Sequence, residues 1–536
     1  MPSREKASAT KKMKNTKFMR LLAGILCSVS VLTCLSACGN QQGGGAADST
    51  NVSGGQNGQG GEGGDNDSGS AGIDYGNLTE VKTGTVSPSM FYQNMLAGKG
   101  EYSTADPMIL KHGDTYYLYY TGGTTLTVRS STDLKNWDNK KTIFQLSQTT
   151  WGVDRCWAPE VHEYNGKFYL FFCGRDANQI FHGGIAVCDT PDGTFEPISD
   201  EPILNFPYSV IDLSFFVDDD GRTYIYYSKD CSTNKINGKG VSQSYGVEVS
   251  NDLKTLLCEP VLISTPTEAW ETKSGSTIWN EGPVVFKQNG TYYLLYSANY
   301  YQSADYAVGY CTSDSPLKLF DKPKSGRILQ GNGSTITGAG HCNILRVEDE
   351  IYLTYHTHTT PPNTDNGRSL CIDKLVVNPD GTLYANGPTN TKQPLPDGIN
   401  GYYKYHGDIE ITGNLSSNQD LGILYDEMIP KGLANHIVIQ DGEVIKFTFP
   451  EAQEFDLMWI YQTTLESNGV ASVDVVINGQ YVYKDFKFAS SGVPAIINFS
   501  KLPKGTKIET VEFSFKKAEG SDGSAIGEIT FVYREQ

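Results

Sequence analysis

Five polar, titratable residues stand at matching places in five repeated stretches of this chain: Asp106, Glu160, Asp212, Glu281 and His341. Their contexts are TADPMI, WAPEV, VIDLSFF, NEGPVV and GAGHCNI, each leading into or lying within apolar sequence. Glu281 poses the question most sharply, because it precedes Gly282-Pro283 at the mouth of an apolar strand. A carboxylate there is either a solvated strand end or a working group in a cleft. Local sequence favours the strand end; recurrence about 9 to 12 residues before the aromatic tyrosine of all five repeats favours the cleft. Carboxylates that converge without a Cys or Ser/His nucleophile motif suit hydrolysis of a glycosidic bond. That reaction needs one protonated acid for the leaving oxygen and one ionised carboxylate on the opposite face. Partial burial and neighbouring like charges raise the pKa of the acid.

The elements that would position these groups follow from the repeat itself. The segments HGDTYYLYYTGG, YNGKFYLFFCGR, DDGRTYIYYSKD, QNGTYYLLYSAN and VEDEIYLTYHTH share a turn followed by an aromatic strand. Aligned on Tyr117, Tyr169, Tyr224, Tyr293 and Tyr352, they recur at steps of 52, 55, 69 and 59 residues, and a second short strand follows each. An all-strand repeat of this length fits a propeller blade. Five copies predict a five-bladed β-propeller, which we place at residues 73–406. The Gly-His and Trp-Asp signature of WD40 repeats is absent. A sandwich of short strands would not keep five repeats in step. The innermost strand of each blade lines the central channel, so the five titratable residues should point at one axis. From residue 407 to 536 the texture changes to alternating strands such as GEVIKFTFP and IETVEFSFKKA, without cysteine. This tail reads as a separate β-sandwich, and its ending, IGEITFVYRE, resembles galactose-binding-like, discoidin-type carbohydrate-binding modules.

Composition bounds the partners. A net charge of −18 over 536 residues argues against nucleic acid. Basic residues between Arg4 and Arg20 precede an apolar stretch ending Leu35-Ser36-Ala37-Cys38, which resembles a bacterial lipobox. Residues 1–38 are then a lipoprotein signal with Cys38 as the lipidated residue. Residues 39–72, rich in Gly, Ser and Asn, form a flexible tether. The expected location is the outer face of a bacterial cell membrane, with the lipid as the only membrane contact. Eight further cysteines lie between Cys156 and Cys371 with no zinc-like spacing, and export would permit disulfides among them.

ADPMI, IDLSFFVDDDG and NEGPVVFKQNGTYYLLYSAN resemble the three motifs of glycoside hydrolase family 43. WAPEVHEYNGKFYLFF and GAGHCNILRVEDEIYLTYHTH are similar to it as well, so the likeness spans about residues 100–390. The resemblance implies a five-bladed propeller that cleaves arabinose- or xylose-containing plant polysaccharides or oligosaccharides with inversion. It implies Asp106 as general base, Asp212 as pKa modulator and orienter, and Glu281 as general acid. His341 matches an axial histidine that in some members sits by a calcium ion or water; a hydrogen-bonded core histidine is the other reading. No cofactor is otherwise implied. Arg368 matches an arginine that approaches the site in relatives, although it could equally be a strand-end charge. Glu160 reads as structural rather than catalytic. Trp157, Trp279, Tyr300 and Tyr301 adjoin channel motifs and are candidate sugar platforms. Two alternatives stay open: an endo-1,5-α-L-arabinanase, and a noncatalytic carbohydrate-binding propeller. Three intact motif carboxylates argue against the second.

Overall fold

The structure, a computed structural model, describes residues 72–98, 103–273, 275–324, 326–362 and 367–535. Residues 1–71, with the expected signal, Cys38 and the expected tether, lie outside the described residues. Five four-stranded antiparallel sheets follow one another along the chain, each a meander that starts from its innermost strand. These inner strands are Met108–His112, Asp154–Tyr164, Val210–Val217, Asn280–Gln288 and Gly340–Val347. They pack neighbour to neighbour around a channel, and the last meets the first. The protein is all-β, a five-bladed propeller followed by a β-sandwich.

The aromatic repeat is the second strand of every blade: Thr115–Tyr119, Lys167–Arg175, Thr223–Lys229, Thr291–Ala298 and Glu350–His358. Its tyrosines fill the wedge between one blade and the next. Tyr119, Tyr224, Tyr226, Tyr293 and Tyr352 are almost fully buried. A buried phenol gains by placing its hydroxyl on a partner, and of these five only that of Tyr224 finds none among the described residues. Tyr119 donates to Pro191 O at 2.6 Å, Tyr226 to Pro316 O at 3.1 Å and Tyr293 to Gly381 O at 3.0 Å. Each acceptor is a turn of the following blade, so one residue type supplies both the apolar wedge and the register. The eight cysteines of this region are free thiols.

The ring is closed by the chain that precedes blade 1. Thr104 N–H donates to Arg368 O at 2.8 Å, and Leu370 N–H donates to Ala97 O at 2.8 Å. This segment therefore runs along the third strand of blade 5, Arg368–Val377, and brings Arg368 beside Asp106.

The sandwich differs from expectation in its borders. Its six-stranded sheet begins with Thr79–Glu80, which pairs in parallel with Tyr481–Lys487. Its other sheet takes in Tyr402–Lys404, paired with Ser524–Arg534. Both segments fall inside the residues 73–406 assigned to the propeller, and both are too short to show a strand period. Nor does the sandwich stand apart. Leu457, Trp459, Tyr461 and Val532 form one buried cluster with Tyr92, Tyr352, Ile372 and Leu395. Trp459 Nε1 donates to Lys392 O at 3.2 Å, and the Tyr461 hydroxyl to Gln393 Oε1 at 3.0 Å.

This shared core predicts that Trp459→Ala costs about 3–5 kcal/mol and lowers the denaturant midpoint of the propeller's own tyrosine signal. An unchanged propeller transition would show that the two parts fold independently.

Candidate active site

At the channel mouth every blade has a left-handed residue in or just before its inner strand: Asp106 (φ +53°), Ala158 (+41°), Asp212 (+57°), Gly282 (+61°) and His341 (+49°), with Arg155 (+60°) a second one in blade 2. For a non-glycine residue this conformation costs on the order of 1–3 kcal/mol, and it persists where the surroundings over-determine it. Here the surroundings are a ring of acceptors. The residue four positions after each aligned tyrosine takes the backbone N–H of the left-handed residue in the next blade. Thr121 Oγ1 accepts from Ala158 N at 2.8 Å, Ser228 Oγ from Gly282 N at 3.2 Å, and Ser297 Oγ from His341 N at 2.7 Å. His356 Nδ1 accepts from Asp106 N at 3.2 Å and closes the ring. At the remaining junction the Cys173 thiol lies against the Asp212 backbone.

Asp106 is held as an anion. Its Oδ1 accepts from Arg368 Nη1 at 2.8 Å and its Oδ2 from the Thr121 hydroxyl at 2.5 Å. Burial alone would raise its pKa, but Arg368 above all, with His341 and the Thr121 hydroxyl, holds the carboxyl well below the usual carboxylate range. His356 is fully buried, and burial with the nearby Arg368 drives its pKa far down. A neutral ring is what its role as acceptor at Nδ1 requires.

Asp212 and Glu281 face the opposite electrostatics. Asp212 Oδ2 accepts from Gly282 N at 3.0 Å and from Ser228 Oγ at 3.3 Å. Burial raises its pKa; His341 opposes and Asp106 reinforces the shift. Glu281 Oε1 accepts from the Tyr306 hydroxyl at 3.1 Å. Burial, then the charges of Asp212 and Asp230, push Glu281 well above the ordinary glutamate value. One site therefore holds a carboxylate that stays ionised and a carboxyl that keeps its proton.

These groups line one open cavity of about 640 Å³. The predicted Trp157, Trp279, Tyr300, Arg368 and His341 line it too. Two aromatic groups are formed there. Trp157 lies 4.9 Å from Phe181, and Trp279 lies 4.9 Å from Tyr300, which contacts Tyr301 at 4.8 Å. The Arg368 guanidinium covers Tyr301 at 4.6 Å. Glu160 does not belong to the cavity lining. Ala158 holds the left-handed position in its blade, and Glu160 lies two residues further on. There it accepts from Asn343 Nδ2 at 2.7 Å and contacts His162 Nε2 at 2.7 Å. Sequence reasoning missed Thr121, Ser228, Ser297 and His356, although their common offset from the aligned tyrosines was in plain view. It also missed Tyr306 and Asp230, which no local pattern marks.

Beside His341 the nearest carboxylates among the described residues are already engaged, so a calcium ion there would take most of its ligands from water. Calcium takes about 6–8 oxygen ligands. Here Asp106 is engaged by Arg368 and Thr121, and Asp212 by Gly282 and Ser228. His341 itself offers imidazole nitrogen. Among the described residues the one cluster of three ligating groups is Glu350, Asp397 and His406, beside the sandwich. Lys404 Nζ sits 2.9 Å from Glu350 and 2.7 Å from Asp397, so an ammonium already supplies the positive charge there.

The family model of glycosyl hydrolases family 43 matches residues 100–383. A β-D-galactofuranosidase of Aspergillus niger is 29% identical over 304 residues, covering 52% of this chain and 81% of that protein. A xylosidase/arabinosidase of Humicola insolens is 28% identical over 271 residues, covering 46% of this chain and 79% of its own length. Among solved structures, a thermostable family-43 glycoside hydrolase is 38% identical with a TM-score of 0.53, covering 57% of this chain and 99% of that one.

The Arg368–Asp106 pair predicts a pH effect with a definite sign. A base must be ionised, and Arg368 keeps Asp106 ionised to low pH. In Arg368→Met the Asp106 pKa rises, so the acidic limb of kcat/KM should move up by about 1–3 pH units. An acidic limb that stays in place would contradict the assignment.

Proposed function

The chain belongs to glycosyl hydrolases family 43, and from that premise we propose that it hydrolyses arabinose- or xylose-containing plant oligosaccharides and polysaccharides with inversion at the anomeric carbon. One observation carries the reading: a single cavity pairs Asp106, kept ionised by Arg368, with Glu281, kept protonated by burial beside Asp212. Glu281 gives its proton to the glycosidic oxygen as the bond to the anomeric carbon breaks. Asp106 takes a proton from the water that attacks the opposite face of the sugar. Asp212 keeps the proton on Glu281 until the leaving oxygen needs it. The Trp157–Phe181 and Trp279–Tyr300 pairs offer apolar ring faces to sugar C–H faces.

The glycone panel follows from the relatives. The Humicola protein is named for xylose and arabinose and the Aspergillus protein for galactofuranose. The test set is therefore the p-nitrophenyl glycosides of α-L-arabinofuranose, β-D-xylose and β-D-galactofuranose, with arabinan and xylan. Release of a monosaccharide from the polymers marks an exo-acting enzyme, and a ladder of oligosaccharides marks an endo-arabinanase. Export with a lipid anchor is part of the proposal and rests on the lipobox-like run ending at Cys38.

Glu281→Ala should lower the rate on oligosaccharides by about 100- to 10,000-fold and be partly rescued on p-nitrophenyl glycosides, whose leaving group needs little protonation. Asp106→Ala should show no such rescue. NMR of the first product should show the inverted anomer; a retained anomer, or binding of all substrates without turnover, would contradict the proposal.

Cys38→Ala should shift the protein from the membrane fraction to the soluble fraction. A variant that still sediments with membranes would contradict the anchor.

A further inference from the structure

A fourth carboxylate lines the cavity, and no step of the chemistry above uses it. Asp230 directly follows the second strand of blade 3, Thr223–Lys229. Its backbone is fixed on both sides: N–H donates to Ser209 O at 2.9 Å, and its carbonyl accepts from Asn234 N at 3.0 Å. The residue is 9% exposed. Oδ1 accepts from Ser232 N at 3.0 Å, while Oδ2 has the Cys231 thiol at 3.6 Å. Among the described residues no lysine, arginine or histidine pairs with it, in contrast to Asp106. A buried carboxylate oxygen with a weak thiol as its partner is costly unless a stronger donor arrives. This one borders the cavity in which Glu281 and Asp212 stand. The glycosidase reading supplies donors of matching chemistry, the hydroxyl groups of a neutral sugar, whereas a second anion would be repelled by the same group of carboxylates.

We propose that Asp230 is a substrate-binding residue that accepts hydrogen bonds from hydroxyl groups of the sugar held beside Glu281, and so selects glycones with free hydroxyls on the blade 3 side. The inference rests on the glycosidase reading and deepens it. Its logic is that of sites built around a substrate hydroxyl: a glycone lacking the hydroxyl leaves the buried acceptor unpaired and is rejected strongly. The negative charge of Asp230 also adds to the field that keeps Glu281 protonated, so a contact role and a charge role must be separated by experiment.

Two variants separate them. Asp230→Asn keeps the shape and an acceptor for Ser232 N–H but removes the charge. Asp230→Glu keeps the charge but displaces the carboxylate by one methylene. Both are assayed on whichever of the three p-nitrophenyl glycosides the wild type cleaves, and on its monodeoxy analogues. We expect KM to rise by about 10- to 100-fold in both variants. Discrimination against at least one deoxy analogue should collapse, and Asp230→Asn alone should lower the basic limb of the pH profile. If Asp230→Asn does not fold, the KM and deoxy discrimination of Asp230→Glu decide. An unchanged KM with intact discrimination, even with a shifted basic limb, overturns the contact. A wild type that cleaves none of the glycosides overturns the glycosidase reading instead.

Discussion

The ring of side-chain acceptors at the channel mouth is the constraint on which the site depends. Five inner strands must bend into left-handed backbone there, and each bend exposes an N–H that the sheet ladder cannot satisfy. Thr121, Cys173, Ser228, Ser297 and His356, all in or just past the second strand of the preceding blade, take those N–H groups one by one. Each bond therefore joins two blades and fixes the direction of a channel side chain at once. Thr121 and Ser228 do more, because the same hydroxyls donate to Asp106 and Asp212. The scaffold that times the blades around the axis is also the hydrogen-bond partner of the carboxylates.

A nearly symmetric ring yields an asymmetric site because its neighbours differ. At the junction of blades 5 and 1, the chain latched along blade 5 sets Arg368 against Asp106, and the anion is stabilised. Across blades 3 and 4, Asp212, Asp230 and Glu281 share a buried region with no ion pair to any of them among the described residues, and burial keeps the proton on Glu281. Acid and base differ by environment rather than by residue type. The sandwich contributes at a distance: its strands Leu457–Gln462 and Ser524–Arg534 share a core with blade 5, whose third strand carries Arg368.

Much of this was legible in the sequence because a repeat turns position into information. The tyrosine period marked the blades, and a place 11 or 12 residues before the aligned tyrosines marked Asp106, Asp212, Glu281 and His341, all of which line the cavity. Trp157, Trp279, Tyr300 and Arg368 line it too. The offset misled at Glu160, since the equivalent of Asp106 in blade 2 is Ala158, which has no functional group to attract notice. Asp230 and Tyr306 escaped because their place in the site comes from turns that vary between blades. The joining of the two domains escaped for another reason. Thr79–Glu80 and Tyr402–Lys404 are strands of two and three residues, and pairing that short leaves no period to read.

The central claim is that one cavity keeps Asp106 ionised and Glu281 protonated. A carboxyl carbon-13 NMR titration of the full chain, with resonances assigned by Asp106→Asn and Glu281→Gln, measures this directly. The account predicts that Glu281 still carries its proton at pH 6 while Asp106 remains ionised at pH 4. A Glu281 already ionised at pH 6, or an Asp106 that takes up its proton near the ordinary aspartate value, would contradict it.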